Sequence, residues 1–238
     1  MRRIKVTHFL QDPSYCTVGA CSTVTNYYNK EMNYKCVKEV AIKKISKKIG
    51  EVGLDSGEIC SLLNVLGFKK VTLVSSDLNV FDYDWSNFGK KKMKNILEES
   101  IKKKKSKEDK DTVKSVYKWY VKKGCNNIIK IDYNFGKYIR KHLNSRKPVI
   151  LTFNWTMLMK FAKEGDKGAD QINGAEEEHA VVANGYDKHG VWIVDSHHQY
   201  YKYKRKKYRK GFYKLPWEHL FSCMGQGDVI LPEQYVNG

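Results

Sequence analysis

Apolar residues recur at helical spacing in the first part of the chain. This periodicity predicts three helices, at 16–28, 36–49 and 56–66. The first helix (CTVGACSTVTNYY) follows the turn-forming residues 11–14 and therefore carries Cys16 in its first turn. Gly67 ends the third helix, since glycine readily adopts the left-handed conformation found after a helix.

Short apolar runs follow, and they are typical of buried strands. We predict strands at 71–76, 149–153, 179–186, 191–195 and 227–231, with a further helix at 135–145. The strands at 179–186 and 191–195 flank the turn residues 187–190 (DKHG), so they are predicted to form an antiparallel hairpin. Helices first and strands second is the α+β pattern and not the alternating pattern of a parallel sheet.

The positive charge of the chain is concentrated in two segments. The net charge is +18, from 44 Lys and Arg against 26 Asp and Glu. Residues 90–123 hold fourteen lysines and five acids, and residues 202–214 hold eight basic residues and no acid. We therefore predict one domain, 1–238, with a Lys-rich helical insertion at 90–123 and a basic appendage at 202–214. An apolar stripe at helical spacing from Val113 to Val121 indicates that the second half of the insertion packs on the domain.

Such basic segments can contact phosphate groups or another anionic polymer. A possible partner is therefore nucleic acid or another polyanion, bound through 90–123 and 202–214. The alternative is a solvated face in a chain rich in Lys and Asn. We favour this alternative, because basic clusters without a motif are unspecific.

The six cysteines do not have the spacing of a disulfide framework, and no pair forms CxxC. Reduced thiols in a cytosolic setting are therefore predicted. No metal or cofactor is predicted, because Cys16 and Cys21 lack a second ligand pair at zinc spacing. No apolar run reaches the ~18 residues that cross a bilayer, and the first residues lack the apolar stretch of a signal peptide. We therefore expect a cytoplasmic protein without a membrane span.

One cysteine has the placement of a nucleophile. A thiolate is stabilised at a helix N-terminus beside an imidazolium, and Cys16 is predicted to begin a helix. Gln11, across the preceding turn, is placed to donate an amide hydrogen to an oxyanion together with the Cys16 backbone N–H. His179 begins one strand of the predicted hairpin, and Asp195 ends the other.

The hairpin register decides whether His179 and Asp195 can meet. A three-residue loop at 187–189 places Asp195 opposite residue 181 and on the same face as His179, whereas a two-residue loop places them on opposite faces. Gly190 favours the three-residue loop, because a position at the end of such a loop requires positive φ.

Three stretches together resemble the C39-like branch of the papain-like cysteine peptidases: QDPSYCTVGACSTVTNYY, EEEHAVVANGYDKHGVWIVDSHHQYY and WEHLFSCMGQGDVIL. The resemblance implies a papain-like α+β fold in which N-terminal helices pack on an antiparallel sheet. It implies that Cys16 is the nucleophile, His179 the general base and acid, Asp195 the residue that orients the base, and Gln11 the oxyanion-hole residue. It also implies a peptide or protein substrate.

Other residues near these stretches have two interpretations each. Trp155 is either a wall of the substrate cleft or an ordinary core aromatic, and Glu178 either attracts a basic substrate residue or belongs to an exposed acidic loop. His197 and His198 are either ligands or site-lining groups, or surface-loop residues, and we favour the surface loop. Hydrolysis of a peptide or isopeptide bond is the predicted function. The alternatives are a catalytically silent fold that binds a polyanion, and acyl transfer to an amine by the same residues.

Overall fold

The computed structural model describes residues 3–165, 168–197 and 211–236. The helices are α1 (Cys16–Tyr28), α2 (Tyr34–Lys44), α3 (Ile49–Val52), α4 (Ser56–Val65), α5 (Lys90–Lys103), α6 (Lys107–Tyr120), α7 (Phe135–Asn144), α8 (Trp155–Met159) and α9 (Trp217–Cys223). The strands are β1 (Phe68–Ser75), β2 (Ile128–Ile131), β3 (Val149–Asn154), β4 (Glu164–Gly165), β5 (Gly168–Ala169), β6 (Glu178–Asp187), β7 (Gly190–Val194), β8 (Phe212–Pro216) and β9 (Asp228–Tyr235). The predicted α+β class is confirmed.

Seven strands form one sheet in the order β2-β1-β9-β3-β6-β7-β8. Every neighbouring pair is antiparallel except β1 and β2, which run parallel. The small β4-β5 pair lies within the loop that connects β3 to β6. The predicted antiparallel sheet is therefore present, with one parallel strand added at its edge.

Both faces of the sheet are covered. Alternate residues of a strand point to opposite faces, and in β3 Ile150 packs in the core under α1, α2, α4 and α6, whereas Leu151 packs in the core under α7, α8 and α9. The central strands are apolar on both sides for this reason. The N-terminal helices cover one face, as predicted, and the later helices cover the other.

The N-terminal helices begin where their capping signals lie. α4 opens with a capping box, in which Asp55 accepts a hydrogen bond from the Glu58 backbone and the Glu58 carboxylate reaches back to the Asp55 backbone. The helix predicted at 36–49 is shorter than expected. It ends at Lys44, and a separate turn, α3, follows, bounded by Gly53 with φ of 73°.

The Lys-rich segment forms two amphipathic helices. α5 buries Met93 and Leu97, and α6 buries more, with Val113, Val116 and Trp119 all inaccessible to solvent. Part of the lysine charge is balanced along the helix, as between Lys103 and Glu99. α6 therefore belongs to the main core, as its apolar stripe predicted. Binding of a polyanion by this segment stays a prediction.

The second basic segment is partly a strand of the main sheet. β8 pairs with β7, buries Tyr213 and Leu215, and places Lys214 Nζ 2.6 Å from Asp187. The interpretation of 202–214 as an appendage is therefore wrong for its last residues, while 202–210 lies outside the described residues. The many basic residues of 202–214 suggested an appendage and so concealed the strand at its end.

Within the described ranges, none of the helices combines the length and the apolar composition needed to cross a bilayer.

Candidate active site

Three elements meet at one end of the central sheet: the start of α1, the start of β6 and the end of β7. Cys16 is the first residue of α1 and is half-buried. This helix has no side-chain cap and no acidic residue in its first turn. The partial positive charge of its N-terminus is therefore left for the Cys16 sulfur and for the groups that approach it.

His179 lies between Cys16 and Asp195. Its Nε2 is 2.8 Å from Asp195 Oδ1, and Cys16 lies near enough to the imidazole to raise its pKa. Because Nε2 faces the aspartate, Nδ1 is the atom left to face the sulfur. The structure thus brings together the three residues that the sequence singled out, in the order required for a nucleophile, a base and an orienting carboxylate.

The hairpin brings His179 and Asp195 to the same face with a loop of different length from the predicted one. Asp187 pairs with Gly190, so the loop has two residues and not three. Such a loop alone would place His179 and Asp195 on opposite faces. A β-bulge between Ala183 and Gly185 shifts the register by one residue, so that Val182 pairs with Val194. The bulge restores the alignment that the three-residue loop was expected to give.

The N-terminal segment of the chain holds this bulge. The backbone N–H of Ile4 donates to the Asn184 carbonyl at 2.7 Å, and the Asn184 side chain donates to the Ile4 carbonyl at 2.8 Å. A Cβ atom on Gly185 would lie 2.9 Å from the Arg3 side chain. The extra residue is therefore fixed by a contact distant in sequence, which no local pattern in the hairpin reveals.

Asp195 is completely buried and is held by three donors. Besides His179, the Tyr213 hydroxyl donates to Oδ2 at 2.8 Å and the His197 backbone N–H donates to Oδ1 at 2.8 Å. Burial raises the pKa of Asp195, but the charge of His179 and these hydrogen bonds outweigh burial, so its pKa is lowered. The carboxylate is therefore ionised at neutral pH.

Burial and the neighbouring charge also have opposite effects on the pKa of His179. Burial lowers the pKa of His179, but the negative charge of Asp195, the hydrogen bond to it and the interaction with Cys16 outweigh burial, so the pKa is raised well above its ordinary value. His179 is therefore protonated at neutral pH.

Gln11 is held in a fixed orientation by Ser196, beside Gly19 in the second turn of α1. The Ser196 hydroxyl donates to Gln11 Oε1 at 2.6 Å, and the Gln11 backbone donates to the Ser196 carbonyl at 3.1 Å. Because its oxygen is engaged, Gln11 keeps the amide N–H groups for another acceptor. Gly19 makes this arrangement possible, since a Cβ there would lie 2.3 Å from Ser196 Oγ.

Aromatic rings surround His179. Trp155, the first residue of α8, is 5% exposed, and its ring centroid lies 4.2 Å from that of His179. Trp155 is therefore a core aromatic that contacts His179, and its role as a wall of the substrate cleft stays a prediction. The ring of His197 packs 5.6 Å from Trp155 and 5.7 Å from His179. His197 is thus a half-buried loop residue beside these rings, and its role stays a prediction, while His198 lies outside the described residues.

Glu178 precedes His179 at the start of β6 and points to the other face of the sheet. The residue is exposed, yet desolvation by the surrounding protein is the largest cause that raises its pKa, to about 7, followed by repulsion from Asp228 and Asp77. A role for Glu178 in attracting a basic substrate residue stays a prediction.

The sequence does not predict two residues of the site. Tyr213 lies in a segment that its charge marks only as basic, and Ser196 carries no signal beyond its position after Asp195. The alternation of aromatic and basic residues around Tyr213 would have indicated a strand with a buried face.

The six cysteines differ in surroundings, and none forms a disulfide. Burial raises the pKa of Cys21 and of Cys60, as expected for thiols in an apolar core. Cys36 on α2 is exposed, and Cys16 is half-buried. Across the described residues, no three His, Cys, Asp or Glu side chains converge in a way that could hold a metal ion.

This combination of fold and site is the arrangement of the papain-like cysteine peptidases: a cysteine that begins a helix, beside a paired histidine and aspartate on the neighbouring sheet. The sequence model of the Peptidase_C39 like family matches residues 3–220. The chain therefore belongs to this family, and the papain-like fold predicted from the sequence is confirmed.

Two further comparisons were made. A search of curated proteins found no match. A solved structure, described as a double glycine motif protease from an AMS/PCAT transporter in complex with the leader peptide, aligns with 97% of this chain and 94% of its own chain. The two are 13% identical, with a TM-score of 0.43.

Proposed function

We propose that this protein is a cysteine hydrolase that cleaves a peptide or isopeptide bond through Cys16, His179 and Asp195. The observation that carries the proposal is the position of His179, near Cys16 on one side and 2.8 Å from a buried, ionised Asp195 on the other. Membership of the Peptidase_C39 like family supports the same chemistry.

In the first half of the reaction His179 holds the proton taken from Cys16, and the thiolate attacks the substrate carbonyl carbon. The oxyanion that forms accepts hydrogen bonds from the Cys16 backbone N–H and from the Gln11 side-chain amide. His179 then gives its proton to the leaving nitrogen as the C–N bond breaks. The acyl group remains on the sulfur as a thioester.

Water completes the reaction. His179, now neutral, takes a proton from the attacking water, and the thiolate leaves as the carboxylic acid forms. Asp195 keeps the imidazole in one orientation and stabilises its protonated form. The hydrogen bond from Tyr213 keeps Asp195 ionised and in place.

Trp155 and Glu178 are proposed to line the substrate cleft. Trp155 contacts the imidazole face through its ring, and Glu178 adjoins His179 in sequence on an exposed wall. An apolar wall and a carboxylate beside the base suit a peptide that presents both apolar and basic groups.

The test is peptide hydrolysis by matched cysteine variants. A diverse peptide pool is incubated with the parent protein, Cys16→Ala and Cys36→Ala, and new peptide ends are identified by mass spectrometry. We expect cleavage by the parent and by Cys36→Ala, and none by Cys16→Ala. Cleavage that persists in Cys16→Ala would overturn the proposal, and so would a pool left intact by all three proteins. Added hydroxylamine would detect transfer, because it captures the acyl group as a hydroxamate.

A further inference from the structure

Four carboxylates gather at the catalytic end of the sheet, on the face that packs against α1 and α4. They are Asp55, Asp77, Glu178 and Asp228, which we call the acidic cluster. Asp77 follows β1, Asp228 begins β9, Glu178 begins β6, and Asp55 caps α4. Their charges repel one another, since Asp228, Asp77 and Asp55 all raise the pKa of Glu178.

The strand register places Asp228 and Glu178 on this face. Asp228 pairs with Ser75 of β1, and its backbone donates to Thr152 Oγ1 of β3 at 2.9 Å. Thr152 pairs with Ala180 of β6, two residues after Glu178 and on the same face. The backbones that carry the two carboxylates are therefore separated by two strand spacings across the sheet, roughly 10 Å, and by two residues along it, roughly 7 Å. His179 follows Glu178 on β6, and its side chain projects to the opposite face of the sheet.

The cluster has no counterions among the described residues. None of its four carboxylates forms an ion pair with Lys, Arg or His there, although the chain has 44 Lys and Arg. Burial raises the pKa of Asp77 and of neighbouring Glu58, and the positive charges of Lys104 and Lys118 oppose this shift only in part. These lysines weaken the repulsion without pairing with the cluster.

Asp228 is the member with an unused acceptor. Its residue is 7% exposed, Oδ2 accepts a hydrogen bond from Ser56, and Oδ1 is buried without a hydrogen-bond partner. The Ser75 hydroxyl favours the ionised carboxyl but does not reach Oδ1 with hydrogen-bond geometry. Burial, and then repulsion from Asp77 and Asp55, raises the pKa of Asp228 to about 6. A buried carboxylate in this state is strongly stabilised by a cationic donor.

The chemistry of the cluster favours an organic cation over a metal ion. No three of the described acidic, His or Cys side chains converge at ligand distances. A Lys ammonium has three N–H donors and an Arg guanidinium has five, so either can serve carboxylates spread over several ångströms. Asp55 adds charge but little else, because its Oδ1 already accepts hydrogen bonds from Glu58 and Ser115.

We propose that the acidic cluster is a specificity subsite that binds a Lys or Arg side chain of the peptide substrate, with Glu178 and Asp228 as its main contacts. The proposal rests on the proposed function, because Glu178 adjoins the catalytic His179. The net charge of +18 repels cations at long range. A preference for Lys or Arg must therefore come from local carboxylates.

Binding to a protein that cannot turn over tests this subsite. Short acetylated and amidated peptides of Ala and Gly carry a single Lys, Arg or norleucine at each position in turn, and their binding to Cys16→Ala is measured by fluorescence anisotropy. We expect one position at which Lys or Arg binds about tenfold tighter than norleucine. Added salt should weaken binding of the cationic peptides and leave that of the norleucine peptides nearly unchanged.

The cluster is then altered in the same Cys16→Ala background. Glu178→Gln and Asp228→Asn should each reduce the preference for Lys over norleucine by roughly threefold or more. Glu218→Gln on α9 removes the same charge from an exposed position on the other face and should leave the preference intact. Thermal unfolding of each variant shows that it is folded.

Two results would overturn the subsite: no position that prefers Lys or Arg, or a preference that survives both substitutions. Hydrolysis of neutral peptides by the parent, together with either result, removes the subsite and leaves the proposed function in place. The parent protein could also cleave no peptide while Cys16→Ala prefers Lys or Arg and loses this preference in Glu178→Gln. That outcome supports the binding site and overturns the proposed hydrolase activity.

Discussion

Two buried aspartates at the same end of the sheet have opposite surroundings. Asp195 has no exposed surface and accepts hydrogen bonds from His179, Tyr213 and the His197 backbone. Asp228 is nearly as buried, but one of its oxygens has no partner. The pKa of Asp195 is therefore lowered and that of Asp228 raised. Burial alone does not fix the state of a carboxyl, because the donors around it decide whether it is ionised.

This difference separates two roles. A carboxylate whose partners belong to the protein itself can hold a base in position throughout a reaction. A buried carboxylate with an unpaired oxygen, such as Asp228, instead favours a ligand that brings a positive charge. Single substitutions at the two aspartates and at their neighbours test these two roles separately.

The largest effect is expected for Asp195→Asn. An amide in place of the carboxylate removes the charge that stabilises protonated His179, so kcat on any cleaved peptide should fall by about 10³-fold or more. Steady-state kinetics measures the loss, and thermal unfolding checks the fold. Retention of more than about a tenth of parental kcat would mean that Asp195 does not orient the base.

Asp228→Asn should change the dependence of stability on pH. The folded pKa of Asp228 is raised to about 6, above its unfolded value near 3.8. Asp228 therefore contributes stability that is fully present below pH ~4 and lost as pH rises through about 6. Relative to Asp228→Asn, the parent should lose up to about 3 kcal/mol of unfolding free energy across this window.

Guanidinium unfolding of the parent and Asp228→Asn at a series of pH values measures this loss. The control is Asp84→Asn, which removes an exposed carboxylate. Its difference from the parent should stay nearly constant with pH. A constant difference for Asp228→Asn as well would show that Asp228 is already satisfied in the folded protein.

Tyr213→Phe should have an intermediate effect. The substitution keeps the ring and removes one hydrogen bond to a buried charge, which is worth about 1.5–3 kcal/mol. We expect a lower unfolding temperature and a kcat reduced about tenfold. Tyr186→Phe serves as the control, because its hydroxyl bonds only the amide of Asn144 at the surface. Equal losses in the two variants would argue against a special role for Tyr213.

The smallest effect is expected for Ser196→Ala. The Ser196 hydroxyl fixes the Gln11 amide at 2.6 Å, so its loss frees Gln11 to rotate but leaves the amide present. A decrease of several-fold in kcat with little change in KM is expected, because an oxyanion contact acts in the transition state. An increase in KM alone would place Ser196 in substrate binding.

Much of the site could be predicted because its signals are local. The helix that begins at Cys16 follows a turn, and the strands that carry His179 and Asp195 are apolar runs on either side of a second turn. Each of these features depends on neighbours within a few residues.

The remaining features depend on distant contacts. The β-bulge at Asn184 is fixed by Ile4, so the loop length predicted from the hairpin alone was wrong although the resulting alignment was right. Tyr213 reaches Asp195 only because β8 joins the sheet beside β7. The acidic cluster draws its members from widely separated positions, so no spacing in the sequence could reveal it.

Comparative alkylation of two cysteines tests the central claim most directly. Cys36 is exposed and Cys16 is half-buried, so exposure alone predicts faster reaction at Cys36. The protein is treated briefly with iodoacetamide at pH values from about 5 to 9, and each thiol is quantified by peptide mass spectrometry. We predict that near neutral pH Cys16 reacts at least about tenfold faster than Cys36, and that His179→Ala abolishes this advantage. Reaction of Cys36 as fast as Cys16, or a Cys16 rate unchanged in His179→Ala, would contradict an activated nucleophile.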